Sequence, residues 1–264
     1  MNWQGLVVAS LLLAALNREC TAQEDGVERA LAQGNEAYAA FDNNGALQHF
    51  RTALQMDPNN YEALWKAARA CADVGKTFEE RDRKQAKQLY WQGDSLARLA
   101  VKLHPDSAES HFALALCVGR VALFEGGKTK IRLSREVRKE AERTLALNPR
   151  HDGAYHILGR WHYNIATLDW LMKAAARVVY GGVPPGASLE EAAKMFAQAV
   201  ALDGHKPVHR LEYGRTLIKL ERYREAREQL QACLTLPRVQ WDDPQHQAEA
   251  GQLLREIRDK RDKP

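Results

Sequence analysis

The chain has 264 residues, of which 45% are hydrophobic and 27% are charged. This composition excludes a disordered tail, and a net charge of +4 is far below the concentrated positive charge of a nucleic-acid-binding protein. Alanine, leucine, glutamate, lysine and arginine dominate and Val/Ile/Thr runs are nearly absent, so we expect an all-α protein that buries a substantial core.

The N-terminal segment 1–22 is interpreted as a secretion signal. Its apolar run from Leu6 to Leu16 suits a signal core and is too short to span a bilayer. Cys20 and Ala22 place small residues at the two positions that a signal peptidase reads. The alternative is a buried N-terminal helix. We therefore expect an exported protein, periplasmic or secreted and without a transmembrane span, with a cytoplasmic location as the alternative.

A two-helix pattern recurs along the rest of the chain. It is clearest at 207–240, where two amphipathic helices flank a short polar turn. Aligning the other units on it places a small residue at the eighth position of each, namely Gly34, Ala68, Ala115, Gly159 and Gly214. Small residues at that spacing are typical of the 34-residue tetratricopeptide repeat, whose paired helices approach closely.

The predicted fold is therefore a tetratricopeptide-repeat-like α-solenoid of about five helix pairs, over residues 23–264. Its units are expected at about 27–60, 61–107, 108–151, 152–206 and 207–240. Because a solenoid needs a polar end, the charged segment 242–260 is predicted to be a capping helix.

Three of the units are longer than 34 residues. The charged connection at about 75–88 predicts a helix extension in the second unit, and the third unit is longer around 124–131. In the fourth unit, 168–180 reads as an inserted amphipathic helix ended by the Gly/Pro segment 181–186. We expect this inserted helix to pack either in the concave groove or against the edge of the array.

No residue pattern supports catalysis, a cofactor or a metal site. The segment Gly127-Lys128-Thr129 lacks the upstream glycine of a phosphate-binding loop, since that position is Ala122. His156 and His162 are six residues apart and cannot share a helix face as metal ligands. Cys71, Cys117 and Cys233 fall in helical patterns and are interpreted as small buried hydrophobes. We predict that the protein is not an enzyme.

The candidate partner-binding residues lie on the first helix of each unit. The ninth position points towards the concave surface and holds Asn35, Arg69, Leu116, Arg160 and Arg215. Guanidinium groups bind carboxylates in a bidentate manner, so three arginines in equivalent places suit an acidic peptide or a C-terminal carboxylate. Further contacts are expected from Trp65, His156, Tyr163 and Asn164. The alternative is that the arginines pair with acids of the protein itself.

A second candidate site is a basic helix in the third unit. It carries Lys128, Lys130, Arg132, Arg135, Arg138 and Lys139. This basic patch suits an acidic peptide or an anionic surface, and the alternative is an ordinary solvated helix face.

Several segments are similar to a known family. They are Leu64-Trp-Lys-Ala-Ala-Arg-Ala70, Phe124-Glu-Gly-Gly-Lys-Thr-Lys-Ile131, Gly159-Arg-Trp-His-Tyr163, Trp170 with 181–185, and Gln247-Ala-Glu-Ala-Gly-Gln-Leu-Leu254. In these segments the chain resembles the regulator of microtubule dynamics family, in particular its short bacterial members. The resemblance implies an all-α repeat protein without enzymatic activity. It also implies, from the eukaryotic members, links to microtubules and for some to mitochondrial or endoplasmic-reticulum membranes.

Two hypotheses about function follow. The first is an exported protein-interaction scaffold that binds a peptide or partner protein on its concave groove. The second is a microtubule-associated or membrane-tethered adaptor like the eukaryotic family members, in which the basic helix meets an acidic partner.

Overall fold

The computed structural model describes residues 23–168 and 185–262, and all regular secondary structure in those ranges is helical. The helices are α1 (23–39), α2 (Asn43–Met56), α3 (Tyr61–Lys76), α4 (Arg83–Leu103), α5 (Ala108–Ala122), α6 (Gly127–Leu147), α7 (Asp152–Ala166), α8 (Leu189–Leu202), α9 (Pro207–Lys219), α10 (Tyr223–Thr235) and α11 (Asp243–Glu256). The segment interpreted as a signal and nearly all of the predicted inserted helix lie outside the described residues.

The helices pack as an α-solenoid, which confirms the predicted fold class. From α2 to α11 each helix packs against the next along the chain. In addition, the first helices of successive pairs contact one another, α3 with α5, α5 with α7, α7 with α9 and α9 with α11. The first helices therefore form an inner layer, and their exposed faces line the concave surface. The exact unit boundaries stay a prediction.

Polar side chains before the helices explain where most of them start. The first turn of a helix has backbone N–H groups without partners, and a side-chain acceptor just before it satisfies one of them. Such hydrogen bonds run to Asp42 from Gly45, to Asn60 from Ala63, to Asp82 from Gln85, to Ser107 from Ser110, to His151 from Ala154 and to Ser188 from Glu191. The capping acceptors thus set the start of these six helices.

Small residues at the eighth position let a large side chain of the paired helix fill the space between the two. A Cβ on Gly34 would lie 2.4 Å from a ring carbon of Phe50. A Cβ on Gly159 would lie 2.7 Å from the ring of Phe196, a side chain with no exposed surface. In the second unit the outer helix also has a small residue at the contact, Gly93. A Cβ there would lie 3.0 Å from the carbonyl oxygen of Ala68 on the inner helix.

The extra length of the second and third units lies in their outer helices. Both α4 and α6 have 21 residues, whereas α2 and α8 have 14. The extension predicted at 75–88 is interrupted, because α3 ends at Lys76 and the non-helical segment 77–81 precedes Asp82, which caps α4. The outer helices therefore project beyond the inner ones at this part of the solenoid.

Replacing Gly159 with alanine tests the close approach. The added methyl group collides with the buried Phe196 ring, so we expect the free energy of unfolding to fall by about 1–3 kcal/mol in chemical denaturation. Gly119→Ala is the matched control, because its Cβ meets only Val137, at 3.8 Å. That variant should be neutral or slightly stabilising, since alanine favours the helix by about 0.5–1 kcal/mol over glycine. Equal effects at the two sites would contradict the packing described here.

Candidate functional site

The concave surface begins with a cluster of α1 and α3 side chains. The Tyr38 hydroxyl donates a hydrogen bond of 2.9 Å to Asp73, and the Arg69 guanidinium lies over the Tyr38 ring, 4.9 Å from its centroid. Burial raises the pKa of Asp73, although Arg69 lowers it in part. Next to this cluster Lys66 donates to the side-chain oxygen of Asn35 at 2.6 Å. Arg69 and Asn35 are therefore both engaged within the protein.

A second cluster joins α7 to α9 and contains the predicted residue His156. Its Nδ1 atom lies 3.0 Å from Nδ1 of His209, so one of the two nitrogens is protonated and donates to the other. The other ring nitrogen of His209 lies 2.8 Å from Asp152, which also accepts from Lys206 at 2.5 Å. Burial and the nearby His209 hold the pKa of His156 well below its ordinary value of 6.5.

The other two arginines of the ninth position meet on one carboxylate. Arg160 and Arg215 both donate to Oε1 of Glu212, whose side chain is only 4% exposed. Arg215 also donates to Glu249 of α11. The interpretation that the arginines pair with acids of the protein itself thus describes both of these residues. Whether they also bind a partner stays a prediction.

The remaining concave candidates differ in exposure. Leu116 packs against the main core, and the indole N–H of Trp65 is buried without a hydrogen-bond partner among the described residues. Tyr163 is half-buried and Asn164 is exposed. The side chains of these last two residues make no hydrogen bond within the described ranges.

The basic helix α6 presents its cations on the face opposite the core. Leu133, Val137, Ala141 and Thr144 are buried. With about 100° of rotation per residue, Lys128, Arg132, Arg135 and Lys139 lie within a narrow arc on the opposite side, and all four are exposed. We call these four residues the α6 stripe. Along it lies a cleft of about 300 Å³, lined by Lys128, Thr129, Ile131, Arg132 and Arg135.

Part of the positive charge on α6 is unpaired. The side chains of Lys128, Lys130 and Arg135 have no acidic partner among the described residues. Arg132 lies 3.5 Å from Glu136 and Lys139 lies 3.4 Å from Glu140, and these two cations are 63% and 80% exposed. Arg138 pairs with Glu142 and also lies over the Trp161 ring. The structure therefore places Arg138 at the edge of the patch as a packing residue and leaves the α6 stripe open to solvent.

A cluster that the sequence analysis missed lies at the start of α11. Single ligand atoms of Asp242, Asp243 and His246 lie within 4.8 Å of one another. Asp242 accepts from the Lys76 ammonium at 2.5 Å, and Asp243 accepts from two backbone N–H groups. A cation is disfavoured there, because Lys76 and the positive end of the helix already supply positive charge. The sequence did contain a signal for this cluster, because Asp242 and Asp243 precede His246 by four and three residues and so share a helix face with it.

Residues 30–258 match the sequence model of the family described as regulator of microtubule dynamics protein 1-3. Regulator of microtubule dynamics protein 1 of Bos taurus is 28% identical over 264 residues, which covers 98% of this chain and 81% of the relative. The Rattus norvegicus protein 1 is 31% identical, covering 72% of this chain and 61% of the relative. Protein 3 of Rattus norvegicus is 27% identical, and the match covers 94% of this chain and 52% of the relative.

Among solved structures, a thermophilic tetratricopeptide-repeat protein of Thermus thermophilus is similar in fold. Its TM-score is 0.61 at 18% sequence identity, and the match covers 86% of this chain and 99% of that one. At this level of identity the likeness supports the repeat fold alone.

The relatives correct the predicted location. They are mammalian proteins of a eukaryotic family, and the Bos taurus match extends over nearly the whole chain. The prediction of an exported, periplasmic or secreted protein is therefore wrong. Among the described helices, none has both the length and the apolar character that a membrane span requires.

The low pKa of His156 predicts a pH-dependent stability. Because the unfolded chain binds this proton more readily than the folded one, stability is present above about pH 6.5 and decreases as the pH falls towards the pKa of the folded state. We expect the free energy of unfolding to fall between about pH 7 and pH 5, and to fall less in His156→Gln. His205→Gln, at an exposed histidine, is the control. An unchanged slope in His156→Gln would contradict the low pKa.

Removing the charge of Glu212 tests the arginine pair on the concave surface. We expect Glu212→Gln to lower the free energy of unfolding by about 1–3 kcal/mol, since two guanidinium groups lose their shared carboxylate. Glu225→Gln removes an acid of similar type from an exposed pair with Arg222 and should cost less than about 1 kcal/mol. Urea denaturation of both variants makes the comparison, and equal losses would show that Glu212 is not structurally important.

Proposed function

This chain belongs to the regulator of microtubule dynamics family, and from that premise we propose that it is a non-enzymatic scaffold whose α6 stripe binds an acidic segment of a partner protein. The family's name refers to microtubules, so the version we favour is a microtubule-associated adaptor. The observation that carries the proposal is the exposed positive charge of the α6 stripe, in which Lys128 and Arg135 have no acidic partner among the described residues.

The spacing of the α6 stripe suits an elongated acidic segment. From Lys128 to Lys139 the helix rises by about 16 Å, which an extended chain covers in about five residues. A segment with an acidic residue at every second position would place several carboxylates beside these cations. The nearby apolar atoms of Ile131 in the cleft offer contact to the stem of a longer side chain.

The cost of desolvation also favours α6 over the concave arginines. Arg160 and Arg215 already bind Glu212, so a partner carboxylate must displace a buried acid to reach them. Lys128 and Arg135 need only exchange water and counterions, and Arg132 and Lys139, although beside Glu136 and Glu140, are 63% and 80% exposed. Each exposed contact is weak and screened by salt over about 8 Å, so we expect an affinity that depends on several cations and falls with ionic strength.

A second candidate is a peptide site on the concave surface. One specific observation favours it, namely that the Tyr163 hydroxyl and the Asn164 side-chain amide have no hydrogen-bond partner among the described residues. Both are beside the Arg160 network and suit the main chain of a peptide. Binding there would be less sensitive to salt than binding at α6.

Neutralising two stripe residues tests the proposal. We expect Lys128→Gln with Arg135→Gln to weaken binding of a fluorescein-labelled, glutamate-rich peptide about tenfold, because losing two exposed contacts costs about 1.4 kcal/mol. Lys84→Gln with Lys102→Gln removes the same charge from exposed positions on α4 and should leave binding nearly unchanged. The measurement is fluorescence anisotropy at two salt concentrations, followed by co-sedimentation with microtubules.

Equal weakening of peptide binding in both double variants would show that only the net charge of the protein matters, and would contradict a site on α6. Weakening by Tyr163→Phe with Asn164→Ala, without an effect of the stripe variant, would assign the partner to the concave surface.

A further inference from the structure

The connection between α10 and α11 reaches the opposite end of the solenoid. We call residues 236–242 the strap. The Arg238 guanidinium lies over the ring of Phe41, 4.1 Å from its centroid, in the turn between α1 and α2. Asp242 accepts from the Lys76 ammonium at the end of α3, at 2.5 Å, and this ammonium also lies 5.7 Å from the Trp241 ring.

These contacts differ in kind from the packing of the rest of the molecule. In a solenoid each repeat contacts only its neighbours along the chain. Lys76 and Asp242 are 166 residues apart, and several helix pairs lie between them. The superhelix therefore curves far enough for its last turn to meet its first two helix pairs.

Local hydrogen bonds, besides the distant contacts, hold the shape of the strap. Asp243 accepts from the backbone N–H groups of Val239 and Gln240 at 2.8 and 2.6 Å. Arg238 donates to the carbonyl oxygens of Gln240 and Trp241 at 3.2 and 2.8 Å. A preformed strap can dock and release as a unit, since neither step requires it to refold.

Groups of the concave surface lie close to the docked strap. Asp242 is near enough to Asp73 of α3 to raise its pKa, and His246 is near enough to His156 of α7 to lower its pKa. His209, in contact with His156, is only 3% exposed. The strap and the start of α11 thus lie beside the polar clusters of the inner layer.

We propose that the strap is a latch, which holds the superhelix closed through Lys76 and Phe41 and whose release opens the concave surface to a partner. This inference concerns the concave surface and does not depend on the α6 stripe. The contacts of the latch suit reversible release. The side chains of Lys76 and Asp242 keep 25% and 10% of their surface exposed, and Arg238 is exposed. Salt or a charged partner therefore competes for them.

The latch is tested by measuring the distance that it holds. Cysteines introduced at the exposed residues Glu80 and Val239 carry spin labels, with Cys20→Ser removing one native thiol. The other three cysteines are buried, and burial raises the pKa of Cys71 to about 11 and of Cys233 to about 12, so they react slowly. Pulsed EPR should give one narrow distance distribution in the otherwise unchanged chain.

In Lys76→Gln with Arg238→Gln we expect this distribution to shift to longer distances and to broaden. The control, Lys84→Gln with Arg222→Gln, removes one lysine and one arginine from exposed positions elsewhere and should leave it unchanged. A latch variant with the unchanged distribution and an unchanged circular dichroism spectrum would overturn the proposal.

A second measurement separates opening from loss of the fold. We expect diethylpyrocarbonate to modify His209 several-fold faster in the latch variant, while the buried Cys71 and Cys233 stay unreactive to thiol reagents. Faster reaction of the cysteines together with His209 would show unfolding instead, and would overturn the latch as the cause. Lys76→Arg retains the positive charge, so in this control variant His209 should be modified as slowly as in the unchanged protein.

Discussion

The close approach of paired helices at their small residues is the constraint on which the rest of the structure depends. Gly34, Gly159 and Gly214 leave room for Phe50, Phe196 and Leu230 of the partner helix. Because those large side chains fill the space within each pair, the inner helices also come close to one another. Their polar side chains then reach from one inner helix to the next, and the concave surface becomes a series of internal ion pairs and hydrogen bonds.

The two sets of cations in this protein consequently have different surroundings. The concave arginines sit where neighbouring inner helices supply acids, so their charge is largely compensated before any partner arrives. The α6 stripe lies on an outer helix that extends beyond its inner partner. Among the described residues Lys128 and Arg135 have no acidic partner, and the acids beside Arg132 and Lys139 belong to α6 itself. Charge that is exposed and uncompensated favours association with an acidic partner, whereas charge that is paired stabilises the superhelix. The function we propose follows from this difference.

Much of the fold could be predicted from the sequence, because helix periodicity and small residues at a fixed spacing are local signals. The repeat register also identified the residues at the ninth position. It did not predict which acids they pair with. Arg160 meets Glu212 across 52 residues and Lys76 meets Asp242 across 166, and both contacts depend on the curvature of the superhelix, which no short segment encodes. The export prediction failed for a related reason. An apolar run with small residues after it fits a signal by composition, and composition alone does not establish where a protein resides.

In the proposed function the partner binds on α6 while the concave network stays intact. Chemical-shift mapping of isotope-labelled protein, titrated with a glutamate-rich peptide, distinguishes the two surfaces. We expect shifts concentrated on the amides of 127–140, with the amides around Arg160, Glu212 and Arg215 unchanged. Shifts concentrated on those concave residues, with α6 unaffected, would contradict it.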